Sequence, residues 1–99
     1  MSHQDPTEVL LSKAKMKILV TLARTGRLNI TRLVKATSLN HATVERHLRE
    51  LLEAGIIIEE RTGRLRFLEL NTSNPIARCL ILLYQGEGGA KTNDGRYFE

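Results

Sequence analysis

Ninety-nine residues, 41% hydrophobic and 26% charged with a formal net charge of +4, suit one soluble domain built on a single modest core. One cysteine, Cys79, excludes an internal disulfide framework and agrees with a reducing compartment. No stretch approaches the ~20 apolar residues of a membrane span and the polar opening Met1 to Pro6 is not a signal peptide, so the expected location is cytoplasmic, with no membrane partner.

Residues 1–5 are expected to be a disordered N-terminus, residues 6–85 the folded domain and residues 86–99 a flexible tail. Asp5-Pro6-Thr7-Glu8 is a helix start, with an acidic cap, proline at the first helical position and an acid three residues after the cap. The predicted helix runs to about Arg24 and ends at Thr25-Gly26. Leu11, Ala14, Ile18, Leu19 and Leu22 form its apolar face. Val9 and Leu10 widen that face beyond the needs of one core. Gly26-Arg27-Leu28 is the predicted first short strand.

Asn29 can cap a second helix through Arg32, Leu33, Val34, Lys35 and Ala36. Ser38-Leu39-Asn40 then breaks the pattern, and Asn40 can cap a third helix. In that helix Val44, Leu48, Leu51 and Leu52 recur at i, i+4, i+7 and i+8, which makes one apolar stripe. Ala42, Thr43, Arg46, Arg49 and Glu50 lie roughly opposite. Gly55 stands where a helix takes a left-handed terminating residue. Two helices, a tight turn between them, and basic residues near the start of the second make a helix-turn-helix.

From Lys13 to Arg49 the chain carries nine Lys or Arg (13, 15, 17, 24, 27, 32, 35, 46 and 49) against one acid, Glu45. Charge alone reads as a solvated surface. Beside a reading helix it becomes the footprint of a polyanion-binding face, because released counterions drive association.

The run Thr37-Ser38-Leu39-Asn40 followed by His41-Ala42-Thr43-Val44-Glu45-Arg46-His47-Leu48 resembles the winged helix-turn-helix of ArsR-type bacterial and archaeal transcription regulators. The likeness continues through Leu52-Glu53-Ala54-Gly55-Ile56-Ile57 and covers about Leu11 to Tyr84. Three positions depart from the family pattern. Glu45 replaces a small polar residue, Ser38 stands where glycine is commoner, and Arg32 replaces a typical glutamate. The resemblance implies double-stranded DNA as partner and pairing of two copies through terminal helices. The Cys-x-Cys of metal-sensing members is absent, and His3, His41, His47 and Cys79 have no recognised metal spacing, so no metal and no cofactor are expected.

Beyond the third helix, Ile56-Ile57-Ile58-Glu59-Glu60 reads as a strand and Arg61-Thr62-Gly63 as the hairpin turn. Arg64-Leu65-Arg66-Phe67 alternates, which points Leu65 and Phe67 at the core and both arginines outward. This hairpin is the wing. The competing use of its charges is to block edge-to-edge aggregation. Asn74-Pro75 opens a last helix, residues 75–84, that is apolar on nearly every side, so a partner surface must cover part of it. The economical cover is a second copy, with Val9, Leu10, Ile76, Leu80, Leu83 and Tyr84 at a two-fold interface. The expected fold class is α+β, mainly α: a winged helix-turn-helix with a two-stranded wing and an extra C-terminal helix.

Arg46 is the first candidate for base contact, because Arg pairs bidentately with guanine in the major groove. His41, Ala42, Thr43 and Glu45 share or flank its face. Glu45 can accept from a cytosine amino group, or can repel phosphates and so sharpen selectivity. Arg32, Lys35, Asn40, Arg49, Arg61, Arg64 and Arg66 are candidates for DNA-backbone contact, Asn40 being also a plain helix cap. His47 reads as a half-buried, hydrogen-bonded histidine at the stripe's edge, and Cys79 as a core or interface residue. No phosphate loop, paired carboxylates or nucleophile–base pattern supports catalysis. The expected function is a sequence-specific, homodimeric DNA-binding transcription regulator and not an enzyme. The alternatives are a winged helix used for protein contacts in a larger assembly and a sequence-tolerant architectural DNA binder.

Overall fold

Short polar side chains decide where the helices begin. Ser12, Asn29, Asn40 and Asn74 each turn an oxygen onto a backbone N–H that a helix start leaves unpaired. Ser12 Oγ accepts from Lys15 at 3.2 Å, Asn29 Oδ1 from Arg32 at 2.9 Å and Asn40 Oδ1 from Thr43 at 2.8 Å. Asn74 Oδ1 accepts from Ile76 at 2.8 Å and Ala77 at 3.2 Å. The computed structural model describes residues 12–89, with side chains to residue 84. In order they form α1 (Lys13–Thr25), β1 (Leu28–Asn29), α2 (Ile30–Thr37), α3 (His41–Glu53), β2 (Ile57–Thr62), β3 (Leu65–Leu70) and α4 (Pro75–Gly89).

The first helix therefore differs from the continuous one expected from residue 5. Ser12 is extended, at φ −84° and ψ 113°, and α1 starts after it. The Asp5-Pro6 start, with Val9, Leu10 and Leu11, lies outside the described residues. Gly26, at φ 84°, ends α1 by donating its N–H to Leu22 O. The first strand accordingly sits at Leu28–Asn29 rather than at residues 26–28.

Both ends of the helix-turn-helix use left-handed residues. Ser38 closes α2 at φ 61° and ψ 21° with its N–H on Val34 O, which explains why this position favours glycine. Thr37, buried beside it, donates through Oγ1 to Leu33 O at 2.9 Å. At the far end of α3, Gly55 (φ 75°) donates to Leu52 O and Ile56 donates to Leu51 O. That reciprocal pair is a Schellman cap. Asn71 Nδ2 then donates to Gly55 O at 2.8 Å and fastens the exit of the sheet to this turn.

The sheet is antiparallel with strand order β1-β3-β2. Leu28 faces Leu68 in one pair, and Ile57 faces Leu70 and Thr62 faces Leu65 in the other. The hairpin thus closes on Gly63 and Arg64, not on residues 61–63. Gly63 takes φ 62° at the first loop position, where a type II′ turn demands glycine. The side-chain directions on β3 are the reverse of those expected. Leu68 and Leu70 are buried, and Arg66 shares their face, whereas Leu65 is 51% exposed. The alternation that decides is Leu68-Glu69-Leu70, and a strand has only two faces to offer. Phe67 lies on the outer side under the Arg27 guanidinium, 4.4 Å from the ring centroid, and Arg27 pairs with Glu60 at 3.0 Å.

The core gathers Ile18, Leu19 and Leu22 of α1, Leu33 of α2, and Val44, Leu48 and Leu51 of α3. Ile56, Ile57, Leu68 and Leu70 close it from the sheet, and Ala77 and Leu80 from α4. Leu80, expected at a subunit interface, is therefore a core residue. Ile76 and Tyr84 are half-buried against the core, with Arg24 lying 5.5 Å over the Tyr84 ring. Cys79 is exposed rather than in the core, as are Leu82 (80%) and Leu83 (67%). The helix continues to Gly89, past the expected boundary at residue 85. Residues 90–99 lie outside the described residues.

Ser38→Gly is expected to stabilise the fold by about 0.5–1 kcal/mol in urea unfolding, because relief of the left-handed side-chain clash exceeds the added chain entropy. A loss of stability would show that the Ser38 side chain contributes more than its backbone conformation costs.

Candidate nucleic-acid interface

α3 has one orientation available to it. Val44, Leu48 and Leu51 are completely buried, and Leu52 borders them, as the stripe predicts. This turns His41, Ala42, Arg46 and Arg49 to solvent, with Thr43 half-buried at the margin. Asn40 is exposed and spends its side chain on the cap. Arg32 and Lys35 are exposed on α2, where they line an open groove with Thr25, Leu28 and Ala36. Arg32, Lys35, Arg49 and Arg64 make no ion pair among the described residues.

Two other candidates, Glu45 and Arg66, meet each other. Arg66 Nη1 donates to Glu45 Oε2 at 2.7 Å, and Nη2 donates to Glu59 Oε1 at 3.0 Å. Glu45 Oε2 also receives His41 Nε2 at 3.1 Å, one helical turn back, and Glu59 Oε2 receives Arg61 Nε at 2.9 Å. One chain of charges therefore runs His41–Glu45–Arg66–Glu59–Arg61, from the first turn of α3 into the wing. Arg66 does not face outward as the strand pattern had it. Its side chain is 19% exposed and its Nε is buried without a partner.

The titration of these groups follows from the contacts. Partial burial opposes ionisation of Glu45, but hydrogen bonds from Arg66 and His41 prevail and hold its carboxyl below the usual range. Glu59 is lowered by its hydrogen bond from Arg66, against some burial, with Arg61 adding to the effect. Hydrogen bonds to Glu59 and then Glu45 raise Arg66 further, although burial works the other way.

A second anchor lies on the opposite edge of α3. Lys15 of α1 pairs with Glu50 at 2.6 Å, and this contact lowers the Glu50 carboxyl. His47 sits beside it, 12% exposed, with Nδ1 3.6 Å from Glu50 Oε1, too long for a hydrogen bond. Burial first, and then the Lys15 and Arg46 charges, push His47 below the usual value of 6.5. Half burial and hydrogen bonding of His47 are both as expected: Arg46 Nη2 donates to His47 Nε2 at 3.5 Å, while Nδ1 has no hydrogen-bond partner. Sequence reasoning missed Glu59 and Glu50. Glu59 carries a usable signal, since it shares the inward face of β2 with Ile57. Among the described residues no group of three or more His, Cys, Asp or Glu is placed to hold a metal, and no helix is long and apolar enough to cross a membrane.

Helix, turn, second helix and a hairpin packed beside it define a winged helix-turn-helix domain. A family model described as winged helix-turn-helix DNA-binding matches residues 11–58. Within that class the chain is similar to ArsR-type regulators. It is 34% identical over 64 residues to the arsenic resistance transcriptional regulator ArsR1 of Pseudomonas putida, a match covering 65% of this chain and 48% of that protein. The chain thus spans about half the length of this curated relative. In fold it is similar to HlyU from Vibrio cholerae, with TM-score 0.68 and 18% identity over 78% of this chain and 80% of that one. It is also similar to a homodimeric winged helix-turn-helix DNA-binding domain from Mycobacterium bovis, a possible ArsR-family transcriptional regulator. There the TM-score is 0.67 and the identity 23%, over 78% of this chain and 69% of that one.

Stability is expected to fall in two stages as pH drops, the first below 6.5 and the second below 4.5. His47 is depressed in the folded state, so its contribution is full above 6.5 and is lost as pH falls through its folded value. Glu45, Glu50 and Glu59 are also depressed, so theirs is present above 4.5 and goes at lower pH. Thermal melts of His47→Gln should lose the upper stage and keep the lower. An unchanged upper stage would place that proton elsewhere.

Proposed function

We propose that this domain binds double-stranded DNA as a homodimer and regulates transcription by reading sequence with α3. His41, Ala42, Thr43 and Arg46 present the base-reading face, and Glu45 borders it with its carboxylate engaged by His41 and Arg66. Arg32, Lys35, Arg49, Asn40 and the wing's Arg61 and Arg64 supply backbone contacts that set register and affinity. The observation that carries this reading is the complete burial of Val44, Leu48 and Leu51, which leaves Arg46 and Arg49 on the open face of an anchored helix. Such a helix fits the width of a B-DNA major groove.

The dimer reading draws on the homodimeric relative from Mycobacterium bovis and on the outer side of α4. Leu82 and Leu83 are large apolar side chains left in water, and burying each is worth about 2 kcal/mol. The interface so drawn keeps Leu83, Ile76 and Tyr84, gains Leu82 and Cys79 and gives up Leu80 to the core; Val9 and Leu10 belong to the same expectation. Two copies related by a two-fold axis then read half-sites about one helical turn (~34 Å) apart. A regulator of this kind works in the cytoplasm, on the nucleoid. The same exposed leucines suit the second reading, a docking module in a larger assembly, which requires heterodimers without DNA affinity.

The test is binding to selected and random duplexes across a salt series, with the mass in solution measured alongside. A dimer whose affinity falls steeply with salt is expected. Arg46→Ala should cost about 1–3 kcal/mol on the preferred site and relax one base position, whereas Lys35→Ala should weaken all duplexes alike and reduce the salt slope by about one. Uniform weakening by Arg46→Ala would reassign that residue to phosphate. No affinity at low salt would overturn the reading.

A further inference from the structure

We propose that Arg66 is a positioning residue of the DNA interface: it bridges Glu45 of the reading helix to Glu59 of the wing, and so sets the wing against α3 and shields phosphates from the Glu45 charge. The inference rests on the DNA-binding reading above and assigns Arg66 a role other than phosphate contact. Its geometry distinguishes it from the other wing arginines. Arg64 is exposed at the turn and Arg61 keeps 66% of its side chain in solvent, while Arg66 points inward at 19%. Only a planar guanidinium can offer separate nitrogens to two carboxylates at 2.7 and 3.0 Å. The partners come from different elements, Glu45 lying 21 residues before Arg66, so the bridge is a tertiary link and not a local helix pair.

The charges explain why such a link is needed. Glu45 is the one acid between Lys13 and Arg49, and it stands on the turn of α3 that carries Arg46. An unshielded carboxylate there repels the phosphates that the neighbouring arginines attract. Arg66 supplies the opposing charge from behind the face, where it is already bonded on two sides. The burial of Nε shows that this side chain is committed inward.

A double-mutant cycle in duplex binding tests the inference, with Glu45→Gln, Arg66→Gln and the pair together. If Arg66 shields Glu45, Arg66→Gln weakens binding, and Glu45→Gln recovers affinity by a factor about fivefold larger in the Arg66→Gln background than in the unmodified protein. The salt slope of the double variant should match that of Glu45→Gln, since Arg66 releases no counterion. Equal Glu45→Gln factors in both backgrounds, or a salt slope reduced by about one whenever Arg66 is absent, would make Arg66 a phosphate contact and overturn the inference. Should Arg66→Gln fail to fold, Arg66→Met, neutral, unbranched and adaptable in packing, gives the same comparison, because it too removes the charge that faces Glu45. An unmodified protein without salt-dependent affinity would overturn the functional reading itself. Affinity in the unmodified protein without the coupling would overturn this inference alone.

Discussion

The packing of α3 against the core is the constraint on which the rest of the molecule depends. Val44, Leu48 and Leu51 fill the space between α1 and the sheet, and each buried side chain contributes about 2 kcal/mol. Rotating the helix about its axis would expose all three at once. Exposed ion pairs contribute about 0–1 kcal/mol, so charge cannot choose the helix face that packing has chosen. What charge can do is adjust the flanks. Lys15 and Glu50 hold one edge of α3 to α1, and Arg66 and Glu45 hold the other to the wing.

Interactions between near neighbours were the legible part of this chain. The caps at Asn29, Asn40 and Asn74, and the left-handed Gly55, depend on residues a few positions away and can be read without knowing the fold. The α3 stripe is equally local. Ser12 belongs to the same class but was masked by the stronger-looking Asp5-Pro6 signal. The family resemblance added the turn position of Ser38, whose φ of 61° shows what glycine does there.

The wing was harder because a short alternating strand looks alike from both sides. Arg64-Leu65-Arg66-Phe67 favours one assignment, and Leu68-Glu69-Leu70 the other. The larger buried set wins, and it carries Arg66 inward. Its partners could not have been read from spacing, since Glu45 and Glu59 lie on separate elements. Helix α4 posed a related problem. All-round hydrophobicity announces that it must be covered, but only packing tells which face α1 covers. That is why Leu80 moved to the core while Leu82 and Leu83 remain outside.

The central claim, that the exposed face of α3 is the part that meets DNA, is tested most directly by following backbone amide signals while a short duplex is added at low salt. The largest changes are expected in residues 40–46, with smaller ones at Arg32, Lys35 and Arg64, and a quiet outer face on α4. Changes confined to the surface around Leu82 and Leu83, with α3 unmoved, would contradict it.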